Sequence, residues 1–125
     1  MLLMTAKDFL TLYKADEKKV LQNRSQMLSA ERRAWEICSR NYFEYTSEFE
    51  DRLWAENEEL ACEMAEVEKA VGRLSDENCR QVLWERYISG KKWAEIAEEM
   101  LYSEQHVQRL HKKALGLIVV PMKYR

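Results

Sequence analysis

A long stretch of the first half of the chain, from residue 5 to residue 38, contains neither glycine nor proline. Apolar residues return along it at helical spacing, as in the pairs Val20/Leu21 and Met27/Leu28. The stretch is therefore expected to form one long amphipathic helix with a single apolar stripe. The whole chain has only three glycines and one proline among 125 residues, so the sequence predicts an all-α fold.

A second helix is predicted to begin near Ser47, because Ser47 and Glu50 have the S-x-x-E form of a capping box. Its apolar positions follow alternating steps of four and three residues, with the polar Asn57 in the one gap. This spacing is that of a coiled-coil heptad, so the helix should present a narrow apolar seam. The seam positions are Phe49, Leu53, Leu60, Met64, Val67, Val71 and Leu74.

Two long helices with narrow apolar stripes cannot each bury their stripe alone. The short connection between them, residues 39–46, predicts that they pair as a coiled-coil-like antiparallel hairpin or zip onto another chain. We expect residues 1–73 to be a helical hairpin that also makes the protein a homodimer. Residues 44–68 hold ten acidic side chains and the single base Arg52, and these carboxylates either are solvated or face a basic partner.

The last third of the chain, residues 74–120, is predicted to form three short helices. Ser75 is expected to cap the first of them, and breaks follow at residues 88–90 and 101–103. Ser103 is expected to cap the last helix, which turns Val107 and Leu110 inward. Three short helices with a three-residue turn between the last two match the helix-turn-helix plan. Residues 121–125 are assigned to a tail.

Charge is distributed unevenly along the chain although the net charge is only −2. Residues 101–125 contain five lysines and arginines against the single acid Glu104. This end can approach nucleic acid electrostatically, whereas the acidic second helix cannot. No apolar run reaches the roughly 18 residues that cross a bilayer, so no membrane partner is expected.

The sequence offers little for catalysis or for metal binding. Cys38, Cys62 and Cys79 are odd in number and widely spaced, which favours reduced structural thiols over a disulfide framework or a zinc site. No arrangement of a nucleophile with a base is indicated, and no glycine-rich phosphate loop is present. We therefore expect no enzymatic activity, no catalytic residue, no metal and no cofactor.

The segment from Leu74 to Ile118 contains a set of motif residues spread over its three predicted helices. They are Leu74, Arg80, Val82, Leu83, Arg86, Tyr87, Ile88, Gly90, Trp93, Glu95, Ile96, Ala97, Tyr102, Ser103, Val107, Arg109, Leu110, His111, Lys113, Ala114 and Leu115. In these residues the segment resembles region four of sigma factors, the module that reads the upstream promoter element. The other sigma-factor regions are lacking, which argues against a complete sigma factor. The layout is more similar to small phage and prophage regulators, the late-gene activators of the RinA and ArpU type.

The resemblance implies a sequence-specific DNA-binding transcriptional regulator of phage or prophage origin. Its partner would be double-stranded DNA, with contact to RNA polymerase left open, and its location would be the cytoplasm of a bacterial host cell. Two alternatives stay open. One is an adaptor that binds RNA polymerase or another regulator without reading DNA. The other is a DNA-packaging adaptor of the small-terminase kind, which also joins a helix-turn-helix to helical oligomerisation segments.

A recognition helix presents its N-terminal residues to base edges in the major groove. The candidate base contacts are Glu104, Gln105, Gln108 and Arg109. Arginine bonds guanine in bidentate fashion, glutamine bonds adenine and glutamate accepts from cytosine, and Arg109 is the first choice among them. The candidate phosphate contacts are Lys91, Lys92, Ser103, His106, Lys112 and Lys113.

One position departs from the usual helix-turn-helix pattern. Such turns commonly place a glycine with positive φ where this chain has Leu101. We expect either backbone strain at Leu101 or a turn of slightly different geometry.

Overall fold

The computed structural model describes residues 4–37 and 42–124, and it contains helices and connecting segments but no strand within those ranges. The predicted all-α class is confirmed. Within the same ranges, none of the helices combines the length and apolarity that a bilayer crossing needs. The elements are α1 (Ala6–Ile37), α2 (Tyr42–Gly72), α3 (Glu77–Leu83), a π-helical turn (Trp84–Ile88), α4 (Trp93–Met100), α5 (Glu104–Leu117) and a 3₁₀ turn (Met122–Tyr124).

The contacts within the chain divide it into two compact units. The terminal unit consists of Met1–Lys14 together with Met64–Arg125, and the middle unit consists of Ala15–Glu63. Each unit therefore contains a part of α1 and a part of α2.

The core of the terminal unit is built around α5. Both α3 and α4 pack on α5, and Val82, Leu83, Ile96 and Val107 are fully buried between them, as their helical spacing predicts. The beginning of α1 and the end of α2 complete this core, because apolar side chains from both are buried in it. The buried residues are Phe9, Leu10, Tyr13, Val67, Ala70, Val71, Leu74, Cys79, Val82, Leu83, Tyr87, Ile88, Ile96, Ala97, Val107, Leu110, Ala114 and Ile118.

The C-terminal tail packs on the same unit. The N–H of Met4 donates to the carbonyl of Tyr124 at 3.3 Å, and the rings of Phe9 and Tyr124 lie 5.1 Å apart. The Lys123 ammonium forms an ion pair with Glu66 at 2.6 Å. The tail is therefore held by a hydrogen bond to Met4 before α1, a ring contact with α1 and an ion pair with α2.

The start of α3 differs by one residue from the prediction. Asp76, not Ser75, is the capping residue, since its carboxylate accepts a hydrogen bond from the N–H of Cys79 at 3.2 Å. The extended backbone of Asp76 places its side chain over the first turn. The carboxylate also pairs with Lys113 at 3.1 Å, and a serine hydroxyl cannot supply that charge.

The start of α2 also corrects a prediction. The helix begins at Tyr42, so Ser47 lies inside it and does not cap its first turn. Residues of modest helix propensity cost only tenths of a kcal/mol each, whereas every residue added to a helix contributes a backbone hydrogen bond. The remaining part of the predicted connection, residues 39–41, and the thiol of Cys38 lie outside the described residues.

In the middle unit, the buried positions of α1 are not those of the predicted apolar pairs. Asp16, Asn23 and Ala30 are 7%, 0% and 2% exposed, whereas Leu21 and Leu28 are 56% and 63% exposed. The three buried residues recur every seven positions, which is the period of a heptad seam. The seam of α1 in the middle unit therefore contains the polar residues Asp16 and Asn23. The apolar pattern of the sequence placed the buried face of the helix at other positions.

These polar side chains meet partners from α2. The amide of Asn23 donates to the Asn57 side-chain oxygen at 2.8 Å. Asp16 faces Glu63, and burial, followed by the hydrogen bond and the repulsion from that carboxyl, raises the pKa of Asp16 to about 7. The folded middle unit therefore keeps a proton on this carboxyl pair up to nearly neutral pH.

The turn between α4 and α5 keeps its usual geometry in spite of the leucine. Leu101 has φ 60° and ψ 36°, the left-handed conformation. The N–H of Tyr102 donates to the Ala97 carbonyl at 3.0 Å and that of Leu101 to the Glu98 carbonyl at 3.3 Å, which together form a Schellman motif. The Leu101 side chain is 90% exposed, so backbone hydrogen bonds, and not side-chain packing, offset the strain.

Replacing Leu101 with glycine should stabilise the protein. A left-handed non-glycine residue costs about 1–2 kcal/mol, and the larger entropy loss of glycine offsets part of that gain. We expect Leu101→Gly to raise the free energy of unfolding by about 1 kcal/mol in a urea titration. Leu101→Ala is the matched control, because it removes the side chain and keeps the strain, and it should change little. A less stable Leu101→Gly protein would contradict the assignment of strain.

The Asp16–Glu63 pair should make the stability of the protein depend on pH. The folded-state pKa of Asp16, about 7, lies above its ordinary value of 3.8, so the folded state binds more protons than the unfolded state between these values. Stability should therefore fall as pH rises from about 4 to about 7. In Asp16→Asn the urea midpoint, measured at several pH values, should decrease less between pH 4 and pH 7 than in the wild type. Glu58→Gln, at an exposed position of α2, should leave this decrease as it is, and an unaltered slope in Asp16→Asn would refute the prediction.

Candidate nucleic-acid interface

The last long helix, α5, has one buried face and one exposed face. Its first turn is capped by Ser103, whose hydroxyl accepts from the N–H of His106 at 3.1 Å, as the sequence predicts. Val107, Leu110 and Ala114 are buried against α3 and α4. These three residues fix which side of α5 is left for a partner.

All four candidate base contacts lie on the exposed side of α5. Glu104, Gln105, Gln108 and Arg109 are exposed, and their spacing of one and four residues places them in one stripe along the first two turns. Among the described residues no ion pair involves Arg109. The guanidinium therefore forms no ion pair with a carboxylate of the described residues.

Two of the candidate phosphate contacts already have carboxylate partners. The Lys91 ammonium bonds Glu85 and, at 2.7 Å, Glu99, and these bonds raise the pKa of Lys91 well above its usual value. Lys113 pairs with Asp76 at 3.1 Å, which also raises the pKa of Lys113. A phosphate reaching either lysine has to compete with those carboxylates.

The other candidate phosphate contacts are differently placed. Lys92 and Lys112 are exposed, and neither takes part in an ion pair within the part of the chain that the structure describes. Ser103 uses its hydroxyl as the α5 cap. The ring of His106 lies edge-on to the ring of Tyr102, with centroids 4.5 Å apart. Lys92 and Lys112 are therefore the lysines best placed to bind a phosphate.

A cleft of about 470 Å³ lies beside α5 and was not anticipated from the sequence. It brings side chains of α1 next to the π-helical turn and the start of α4. π-Helical turns are rare and are often found at functional sites. The residues that line the cleft are Lys7, Thr11, Lys14, Arg86, Tyr87, Gly90, Trp93, Gln108 and His111.

Arg86 and Gly90 shape this cleft. The Arg86 guanidinium donates to the carbonyl of Lys91 at 3.1 Å and lies over the ring of Trp93, 4.4 Å from its centroid. Gly90 has a φ of 76°, and a Cβ built on it would lie 2.9 Å from the Lys14 side chain. A glycine at this position therefore permits both the positive φ and the close approach of Lys14.

The pKa of His111 depends on its burial in the cleft and on the charges nearby. Its Nε2 lies 2.7 Å from the hydroxyl of Tyr87, and its ring packs edge-on to Trp93 with centroids 4.7 Å apart. Burial is the main cause that lowers the pKa of His111, and the positive charges of Lys7 and Arg86 lower it further. Lys7 and Arg86 therefore place positive charge near the His111 ring.

Lys7, Thr11 and Lys14 were missed because the sequence assigned them to a hairpin. Their spacing of four and three residues places them on one face of α1, and this was the only signal available. Nothing in that spacing tells which other helix faces them. Among the described residues no group of three or more metal-ligating side chains is placed to hold an ion.

Scans of the sequence against protein-family models and against the curated proteins, and a search of the solved structures, found no match. The resemblance to region four of sigma factors therefore stays a prediction from the residues of the chain.

The effect of the nearby positive charges can be measured at His111. In an NMR titration we expect its pKa to lie below the ordinary value of 6.5 and to rise in Lys7→Gln, because one nearby positive charge is removed. Lys69→Gln removes an exposed lysine of the same unit that does not line the cleft, and it should leave the His111 titration as in the wild type. Equal shifts in both variants would contradict a local effect.

Proposed function

We propose that the protein is a sequence-specific DNA-binding transcriptional regulator of the phage and prophage type, with α5 as its recognition helix. The observation that carries the proposal is the exposed polar stripe of Gln105, Gln108 and Arg109 on a helix whose opposite face is fully packed. Side chains of this kind read bases in the major groove, because guanine and adenine each offer paired groups to an arginine or an amide.

The proposed architecture is an antiparallel helical hairpin followed by a helix-turn-helix formed by α4 and α5. Contacts in the terminal unit support the second part, since α4 packs on α5 and three residues in a Schellman turn connect them. The pairs Asn23–Asn57 and Lys19–Glu56 in the middle unit support the first. A helix of fourteen residues is about 21 Å long, which suits a major groove about 12 Å wide.

The placement of charge supports DNA as the partner. Arg109 and Lys112 extend along the exposed face of α5, and Lys92 lies directly before α4. Asp76 pairs with Lys113 and Glu99 pairs with Lys91. A phosphate that binds either lysine would replace the carboxylate of its partner. The proposed contacts include no acidic residue of α2.

A homodimer through the N-terminal helices is also proposed. Leu21 and Leu28 are seven residues apart and so lie on the same face of α1, and Trp54 of α2 is 64% exposed. If these side chains form one apolar patch, that patch would suit an interface with another chain. A dimer would present two recognition helices to two half-sites of an operator.

Selection of bound sequences from random double-stranded DNA tests the proposed function. On the selected site, Arg109→Ala should weaken binding by about 1–3 kcal/mol and relax the base preference at one position. Lys112→Ala should weaken binding to selected and random DNA alike, because a phosphate contact carries no sequence information.

Arg73→Ala is the matched control, since Arg73 is an exposed arginine of the terminal unit that lies outside α5. It should leave binding to both DNAs as in the wild type. Absence of DNA retention by the wild type at low salt would overturn the proposal. Capture of RNA polymerase without a shift of any DNA would instead favour an adaptor, and a ring-sized oligomer in light scattering would favour a packaging adaptor.

A further inference from the structure

The cleft beside α5 has the composition of an anion site. Lys7 and Arg86 contribute two positive charges from two separate segments of the chain, and no carboxylate is found among the described residues that line it. Three other lysines of the terminal unit, Lys91, Lys113 and Lys123, are paired with acids. The cleft is therefore a place where positive charge is gathered without a matching acid in its lining.

We propose that this cleft binds a phosphate group through Lys7 and Arg86, and that a backbone phosphate of the DNA held by α5 supplies it. That the phosphate comes from DNA rests on the proposed function. That the cleft binds a phosphate rests on the residues that line it. Gln108 connects the two, because it belongs to the exposed stripe of α5 and also lines the cleft.

The donors of the cleft suit a tetrahedral oxyanion. The Arg86 guanidinium has five N–H donors, and the hydrogen bond that it makes to the Lys91 carbonyl uses one of its nitrogens. Its stacking on Trp93 fixes the plane of the remaining donors. Thr11 and Tyr87 also line the cleft, but the Thr11 hydroxyl donates to the Asp8 carbonyl at 2.8 Å and the Tyr87 hydroxyl bonds His111. The hydrogen bonds to a phosphate would therefore be the charge-assisted ones of Lys7 and Arg86.

The start of α4 adds a second, independent contribution. Trp93 lines the cleft and is the first residue of α4, and Lys92 before it makes no side-chain cap. Lys92 therefore offers no acceptor to the first-turn N–H groups of α4, and the N-terminal end of a helix favours an anion. A phosphate in the cleft would lie close to this end.

Two titrations of the full-length protein test the site. In the first, binding to the selected duplex is measured over a range of salt concentrations for the wild type and for Lys7→Gln. Each phosphate contact adds about 0.9 to the slope of log affinity against log salt, so the slope should be shallower by about that amount in Lys7→Gln. In the second, inorganic phosphate is added and the His111 resonances are followed by NMR.

Matched variants separate loss of charge from loss of structure. Lys7→Arg should restore the wild-type slope, and Lys69→Gln should keep it. Lys7 is an exposed residue in the first turn of α1, where a cation is unfavourable to the helix dipole. Its removal is therefore not expected to unfold α1, and far-ultraviolet circular dichroism of Lys7→Gln checks this directly.

The outcomes distinguish the site from the proposed function. A shallower slope in Lys7→Gln supports the cleft with DNA as its source. An unchanged slope, together with saturable His111 shifts by inorganic phosphate that Lys7→Gln abolishes, supports the cleft with free phosphate as its source. An unchanged slope without such shifts overturns the cleft and leaves the proposed function standing. If the wild type binds no DNA, the proposed function fails and the inorganic phosphate titration alone decides the cleft.

Discussion

The burial of one face of α5 is the interaction on which the terminal unit depends. Val107 and Ala114 are fully inaccessible, and α3 and α4 both pack on the helix that carries them. Burial of apolar surface contributes about 25 cal/mol for each Å² removed from water, so rotating α5 would cost the unit much of its core. The same packing fixes the exposed stripe of Gln105, Gln108 and Arg109, and in this way the core determines which side chains a partner meets.

In the terminal unit, acids pair with some lysines, whereas the described lining of the cleft contains no acid. Asp76 caps α3 and also holds Lys113, and backbone and lysine together lower the pKa of its carboxyl. Glu66 likewise holds Lys123 of the C-terminal tail. The cleft between α1 and the start of α4 has no such acid in its described lining, and this difference is why it stands out as an anion site. An exposed ion pair contributes little to stability, so replacing its acid by a phosphate should cost the folded protein little stability.

The middle unit differs from the terminal unit, because polar side chains lie among the buried residues of its seam. Asn23 is fully buried and pairs with Asn57, and Asp16 faces the carboxyl of Glu63. A polar pair in a heptad seam costs stability, but it opposes any register that would leave its groups without a partner. Leu21 and Leu28 remain exposed because a seam of two helices is too narrow to cover them.

The sequence by itself determined the elements whose signals are local. The all-α class follows from composition, the cap of α5 from Ser103, and the inward faces of α3, α4 and α5 from helical spacing. Local signals failed where two neighbouring residues could do the same task, as Ser75 and Asp76 could, or where cooperative helix growth extended α2 past Ser47 to Tyr42.

Only the tertiary structure decided which faces meet. Periodicity gives the direction of a side chain relative to its own helix axis but not the identity of the neighbouring helix. It therefore placed Lys7 and Lys14 on one face of α1 and could not bring them to Arg86 and His111. It could not tell that Phe9 would be buried in the core around α5 either, because such contacts join residues far apart in the chain and are fixed by packing alone.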